Sequence, residues 1–115
     1  MTDRERPVIV VVHARARARE RFRISGTDEQ IDAYIVAEVR AALAAGRTQN
    51  NKPKEWRLYG EKGRALDPGE RFVYDAENTR GWIIKRTAYE DVVTTSLNRT
   101  GGVRRLDRVA APVRR

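Results

Sequence analysis

Five arginines at alternate positions are the residues of this sequence that most clearly suggest a binding site. They lie between His13 and Ile24, and alanines, Glu20 and Phe22 stand between them. In an extended strand, a period of two places all five side chains on one face, where the guanidinium groups could bind phosphates. The alternative is a solvated strand face whose charges keep the edge from pairing with other chains. The residues concerned are Arg15, Arg17, Arg19, Arg21 and Arg23.

Few other side chains offer catalytic chemistry. The sequence has no cysteine and a single histidine, His13, which excludes disulfides, a thiolate nucleophile and cysteine-based zinc sites. The glycines at positions 60, 63 and 69 do not have the spacing of a P-loop or a dinucleotide-binding motif. We therefore expect a protein that is not an enzyme and that holds no metal ion and no cofactor.

The composition predicts one small domain. The chain has 115 residues, of which 40% are apolar and 35% are charged, and this suits a modest core in a single domain. We expect the domain to span residues 7–97, between a flexible N-terminus, 1–6, and a flexible basic tail, 98–115. The longest apolar run, residues 8–12, is far shorter than the roughly 20 residues that span a bilayer. The expectation is a cytoplasmic protein without a membrane contact.

The net charge of +8 is concentrated in two segments. Residues 13–24 carry five arginines against one glutamate, and residues 99–115 carry six arginines against one aspartate. Clusters of this kind suit a nucleic-acid partner. However, arginine makes up 20 of the 24 basic residues. The codon bias of a GC-rich genome would also enrich arginine over lysine, so the arginine content alone is weak evidence for nucleic acid. Nucleic acid is therefore not the favoured partner.

The first half of the chain predicts a β-hairpin followed by a helix. The β-branched residues 8–12 favour a strand, and a bend near residues 18–20 would turn the alternating segment into the second strand of a hairpin. A helix is the competing interpretation, since alanine, arginine and glutamate are good helix formers, but it would scatter the arginines. Thr27 and Gln30 then have the spacing of a capping box, apolar residues recur at helical intervals as far as Leu43, and Gly46 provides a stop. This pattern predicts a helix over 28–45.

The second half predicts short strands joined by turns. Residues 56–59 alternate as a strand does, and glycines bracket the turn that follows. Residues 64–66 fit a short returning strand, and residues 67–69 are a strong turn signal. Further strands are expected at residues 72–74 and 82–84, whereas residues 88–97 suit either a strand or a short helix. One helix can cover only one face of such a small mixed sheet, which predicts the α+β class.

This order of elements resembles the ubiquitin-like β-grasp fold. The resemblance covers residues 7–86 and depends on spacing and hydrophobic pattern. It implies a β-hairpin, a helix and then further strands of one mixed sheet that packs on the helix. The matching pieces of the second half are residues 56–59, the turn at 60–63, Leu66, Gly69, Phe72 and the closing strand at 82–84.

A diglycine near the end of the chain extends the resemblance. Modifiers of this family end in Gly-Gly on a flexible tail, because only residues without a Cβ let the backbone thread a narrow enzyme channel. Gly101 and Gly102 match that end, and the segment that begins at Val103 matches a removable extension. Bacterial ubiquitin-like modifiers encoded beside their conjugation and deconjugation enzymes are the nearest comparison. The resemblance implies a modifier precursor, processed after Gly102 and conjugated by partner enzymes.

The partners implied are activating and conjugating enzymes, a deconjugating peptidase and target proteins. In ubiquitin-like proteins the exposed sheet face near the third strand is the main docking surface, and strand phase places Arg57 and Tyr59 on that face. Two alternatives stay open. One is a ubiquitin-like interaction or adaptor module that is never conjugated, and the other is a small basic nucleic-acid-binding protein.

Overall fold

A computed structural model of the protein describes residues 6–49 and 66–98. Within them the chain forms two helices and one five-stranded sheet, so the predicted α+β class is confirmed. Neither helix has the length and apolar composition needed to cross a membrane. The elements in chain order are β1 (Val8–Val10), α1 (Val12–Phe22), α2 (Asp28–Ala44), β2 (Thr48–Gln49), β3 (Glu70–Tyr74), β4 (Arg80–Arg86) and β5 (Asp91–Asn98).

The sheet is mixed, and its strand order is β1-β5-β4-β3-β2. The first and last described strands, β1 and β5, pair in parallel, with Ile9 opposite Val92. The remaining pairs are antiparallel, and a register shift interrupts the β4–β5 ladder between Ile83 and Ile84. Because β1 and β5 are parallel, the chain must cross over between them, and both helices lie within that crossover.

The predicted N-terminal hairpin is wrong, because the arginine-rich segment is the helix α1. The alanines decide between the two structures. Ala14 and Ala18 are fully buried and Phe22 is nearly so, whereas Ala16 is exposed. A spacing of four places these three buried residues on one face of a helix, and that face packs on β5. The β-branched run also ends earlier than predicted, since β1 stops at Val10 and α1 begins at Val12.

Leucine substitutions at Ala16 and Ala18 test the helix directly. Ala18→Leu is expected to lower the free energy of unfolding by about 1–3 kcal/mol, because the added atoms must enter a filled core. Ala16→Leu is the matched control, and it should change stability by less than about 0.5 kcal/mol at an exposed position. Urea unfolding followed by circular dichroism measures both. A strand would place the two alanines on the same face, so equal destabilisation would contradict the helix.

The second helix forms as its sequence predicts. At its start, the Gln30 amide donates to the Thr27 hydroxyl and the Gln30 side chain accepts from the Thr27 amide, which completes the capping box. At its end, the Arg47 amide bonds to the Ala42 carbonyl and the Gly46 amide to the Leu43 carbonyl. This is a Schellman motif, and it requires the positive φ of 75° that Gly46 adopts. The helix buries Ile31, Ile35, Val39 and Ala42 against the sheet.

The described part of the second half, residues 66–98, largely follows the predicted pattern. The turn at residues 67–69 is confirmed by a hydrogen bond from the Glu70 amide to the Asp67 carbonyl. The strands predicted around residues 72–74 and 82–84 are the centres of β3 and β4. The segment at 88–97, left open between a strand and a helix, is mostly β5. The strands predicted at 56–59 and 64–66 lie outside the described residues, apart from Leu66, which is not in a strand.

The sheet buries apolar side chains on both of its faces. The face toward the helices carries Val73, Trp82, Ile84 and Val93, which join the apolar faces of α1 and α2 in one core. The opposite face carries Phe72, Ile83 and Leu97, all buried. Leu66 and Tyr74 pack against this second cluster. Alternation of side chains along β3 and β4 produces the two sets, and the register shift in the β4–β5 ladder places Val93 and Leu97 of β5 on opposite faces.

Candidate functional site

The structure does not form the basic face predicted for the five arginines, because α1 distributes them around its circumference. Arg15 is committed to the other helix: its Nε and Nη2 atoms donate to the two carboxylate oxygens of Asp32, each at 2.8 Å. Asp28 lies 3.6 Å from the same guanidinium. The hydrogen bond to Asp32 raises the pKa of Arg15. A fork-shaped pair of this kind fixes the position of one helix against the other.

Three further arginines of the set also contact oxygen atoms of this chain. Arg17 pairs with Glu20 at 3.0 Å, one turn along α1. Arg19 bonds to the carbonyl of Gly26 at 2.8 Å and pairs with Asp28 at 2.9 Å. Arg21 donates to the carbonyl of Ser96 at 2.7 Å. Arg23 is exposed at the end of α1, with a left-handed backbone. Three of the five arginines therefore hold α1 against other parts of the fold, and a fourth pairs within the helix, instead of presenting a row of cations.

The charge of the described part supports the same conclusion. Residues 6–49 and 66–98 contain twelve arginines and lysines against eleven aspartates and glutamates. The excess in this part is one positive charge, so seven of the eight excess charges belong to the other segments of the chain. The folded body is thus close to electrically neutral, and α1 does not make it a polycation.

A cluster that the sequence analysis missed lies between α2 and β4. Arg80 Nη1 donates to the Tyr34 hydroxyl at 2.6 Å. The guanidinium carbon of Arg80 lies 4.9 Å from the ring centroid of Phe22 and 5.7 Å from that of Tyr34. Beneath them, the buried ring of Trp82 makes edge contacts with both of these aromatic rings. Burial raises the pKa of Tyr34, so its hydroxyl stays protonated at neutral pH.

A second polar cluster joins the β4–β5 turn to the start of β1. The Asp91 carboxylate is fully buried and accepts from Arg86 Nε at 2.9 Å and Nη2 at 3.0 Å. Arg6 reaches the same carboxylate at 3.4 Å and also donates to the carbonyls of Thr87 and Glu90. The partners named here belong to the turn or to the strands beside it, and α2 also contacts this cluster through a hydrogen bond from Arg40 to the Arg6 carbonyl. Its chemistry is therefore that of a structural clamp.

Only some of the remaining residues considered in the sequence analysis lie in the described part of the chain. His13 is exposed on the first turn of α1. Within residues 6–49 and 66–98, no group of three or more histidine, aspartate or glutamate side chains could hold a metal ion. Arg57, Tyr59, Gly101, Gly102 and Val103 lie outside the described residues. The resemblance places the closing strand at residues 82–84, but the last described strand is β5, which ends at Asn98. The diglycine is therefore closer in sequence to the described fold than the resemblance implies.

Comparisons with protein-family models, with curated proteins and with solved structures found no match to this chain.

Proposed function

We propose that this chain is the precursor of a ubiquitin-like modifier that is processed after Gly102 and conjugated through that glycine. The observation that carries the proposal is the position of β5. It pairs in parallel with β1 and ends at Asn98, so that only Arg99 and Thr100 separate the last described strand from Gly101. The diglycine thus follows the described fold closely in the sequence, which supports its assignment as the C-terminal end of the proposed modifier.

The proposed fold is a variant of the β-grasp. Parallel pairing of the first and last strands, and helices on one face of a mixed sheet, support this assignment. The N-terminal hairpin of the family is replaced here, since α1 follows β1 where the second strand is expected. Arg57 and Tyr59 remain the residues that we propose for docking of partner enzymes.

The chemistry would belong to the partners. A peptidase hydrolyses the amide bond between Gly102 and Val103, which releases residues 103–115 and leaves a carboxylate on Gly102. An activating enzyme converts this carboxylate into an acyl-adenylate with ATP and releases pyrophosphate, and attack by a target amine or hydroxyl on the acyl carbon then expels AMP. This chain supplies a compact body and two residues without a Cβ, which the enzymes' narrow channels can admit. It is not itself an enzyme in this proposal, and its partners are cytoplasmic.

Substitution of Gly102 tests the processing step. In extracts of its native host, the wild-type chain is expected to lose residues 103–115, and an intact mass measurement detects the loss. Gly102→Ala should slow this cleavage by about 10- to 100-fold, because the added Cβ displaces the scissile bond within the peptidase site. Val103→Ala is the matched control, since it keeps both glycines. A wild-type chain that keeps its full mass, or a Gly102→Ala chain cut at the wild-type rate, would contradict the proposal.

Nucleic-acid binding is a second candidate, favoured by one observation. Seven of the eight excess positive charges lie outside the described body, and residues 99–115 alone account for five. If this function holds, truncation of the chain after Asn98 should abolish binding, whereas Arg17→Gln on α1 should not. Affinity should also fall steeply with salt, as counterion release requires. The absence of binding at low salt would dismiss this candidate.

A further inference from the structure

We propose that the sheet face opposite the helices is the docking surface for this chain's own residues 50–65, the connecting segment, with Trp56 as its anchor. The first observation is the burial of three side chains on that face. Phe72 has no solvent exposure, and Leu97 and Ile83 keep only 1% and 3%. The two helices pack on the other face. This inference does not depend on the modifier function proposed above.

The strands alone do not bury these three side chains. Leu66 and Tyr74 pack against them, and the Tyr74 ring stacks on Phe72 with the centroids 5.9 Å apart. Side chains stand roughly perpendicular to a sheet, so neighbours on the same face cover their flanks and not their tips. Burial of the tips requires a further layer of chain. Within residues 6–49 and 66–98, no helix or strand forms a layer on this face.

The two ends of the connecting segment lie beside this surface. Gln49, which precedes the segment, is the Cα partner of Phe72 across the β2–β3 ladder. Leu66, which follows the segment, packs against the cluster that contains Phe72. The chain therefore leaves the described fold and rejoins it beside the same buried residue. A loop with both ends fixed at a surface loses less entropy on packing there than a chain that must be brought from elsewhere.

Trp56 is the side chain of the connecting segment best suited to this surface. It is the largest apolar residue of the segment, and Leu58 follows it at the spacing that places both on one side of an extended chain. A tryptophan buries roughly 150–250 Å². Phe72 and Ile83 are Cα partners on neighbouring strands, so one indole ring is large enough to contact both. The same alternation would leave Arg57 on the solvent side.

Residues 99–115 and a second copy of the chain are the competing occupants. Residues 99–115 carry six arginines and no aromatic residue, so covering the face with them would bring guanidinium groups onto an apolar surface. A second copy would need this face to be open in the single chain, whereas its central side chains are already buried there. The connecting segment instead offers two aromatic side chains, Trp56 and Tyr59.

Nuclear Overhauser contacts in the full chain test the proposal directly. We expect contacts from the Trp56 indole protons to the methyl groups of Ile83 and Leu97, with intensities per molecule that do not change on dilution. Trp82 is the internal reference, because its ring lies on the other face and should contact the aromatic rings of the two helices. The proposal would be overturned by methyl contacts to residues 99–115 in place of Trp56, by contacts that vanish on dilution, or by no contact from Trp56.

Alanine variants provide a second measurement. Trp56→Ala is expected to lower the urea midpoint by on the order of 1 M, as loss of a buried aromatic ring does. Arg57→Ala is the matched control in the same segment, and Leu106→Ala is the control in residues 99–115; each should shift the midpoint by less than about 0.3 M. Equal shifts for Trp56→Ala and Arg57→Ala would contradict the proposal, and so would a shift for Leu106→Ala as large as that for Trp56→Ala.

Discussion

Replacement of Asp91 by alanine is expected to lower the free energy of unfolding by about 3–5 kcal/mol, because it removes one partner of a buried ion cluster. The Asp91 carboxylate has no solvent exposure, and Arg86 binds both of its oxygens. The side chain of Arg6 reaches the same carboxylate while it spans the carbonyls of the β4–β5 turn. Without Asp91, the two guanidinium groups would lose the buried carboxylate that they share.

Urea unfolding at neutral pH measures this effect. Glu20→Ala removes the same charge from an exposed pair with Arg17 and serves as the control; its cost should stay below about 1 kcal/mol. Asp91→Asn should fall between the two, since the amide keeps an acceptor oxygen for Arg86 but loses the charge. If Asp91→Ala costs no more than Glu20→Ala, the clamp does not stabilise the junction of β1 with the β4–β5 turn.

Truncation of Trp82 should have an effect of similar size, for a different reason. Trp82 is fully buried at the centre of β4, and its ring contacts Phe22 from α1 and Tyr34 from α2. Its side chain therefore contacts both helices from the sheet. Trp82→Ala is expected to cost about 3–5 kcal/mol, through lost burial and the cavity that remains.

The control for Trp82→Ala is Trp82→Phe, which removes the indole N–H and keeps an aromatic ring. Among the residues that the structure describes, its buried indole nitrogen has no hydrogen-bond partner, so Trp82→Phe removes an unsatisfied polar group together with some packing. This change should cost about 1–2 kcal/mol, clearly less than alanine. Circular dichroism of urea-unfolded samples gives both values without depending on tryptophan fluorescence. Equal losses for the phenylalanine and alanine variants would show that the volume of the ring is not what joins the three elements.

Sequence reasoning succeeded where the signals are local. The capping box at Thr27 and the stop at Gly46 each depend on residues within a few positions, and α2 runs between them as predicted. The turn at 67–69 and the apolar centres of β3 and β4 are local signals of the same kind.

The hairpin prediction failed because alternation is ambiguous when alanine is one of the two residue types. Alanine is small enough to lie on a buried or an exposed surface, so Ala14, Ala16 and Ala18 fit one face of a strand equally well. The structure buries the first and third and exposes the second. Ala14 and Ala18 are buried because that face of α1 packs on β5. This contact joins segments far apart in sequence, so a pattern within the eleven residues of α1 does not predict it. Helix propensity, the competing signal, was correct.

The polar clusters were beyond prediction for the same reason. Arg80 meets Tyr34 across 46 positions of sequence, and Arg6 meets Asp91 across 85. Tyr34 carried a helical signal and Asp91 none, so no spacing connected either residue to its arginine. Such pairs follow only from the tertiary arrangement of α2, β4 and β5.

The most direct test of the proposed function is mass spectrometry of tryptic peptides from the native host. Trypsin cuts after Arg99, so a conjugated chain leaves Thr100-Gly101-Gly102 attached to a lysine of its target, whereas an unprocessed chain releases the peptide 100–104. We predict target peptides that carry the three-residue remnant and that disappear in a Gly102→Ala strain. Recovery of peptide 100–104 alone, with no remnant on any protein, would contradict the account.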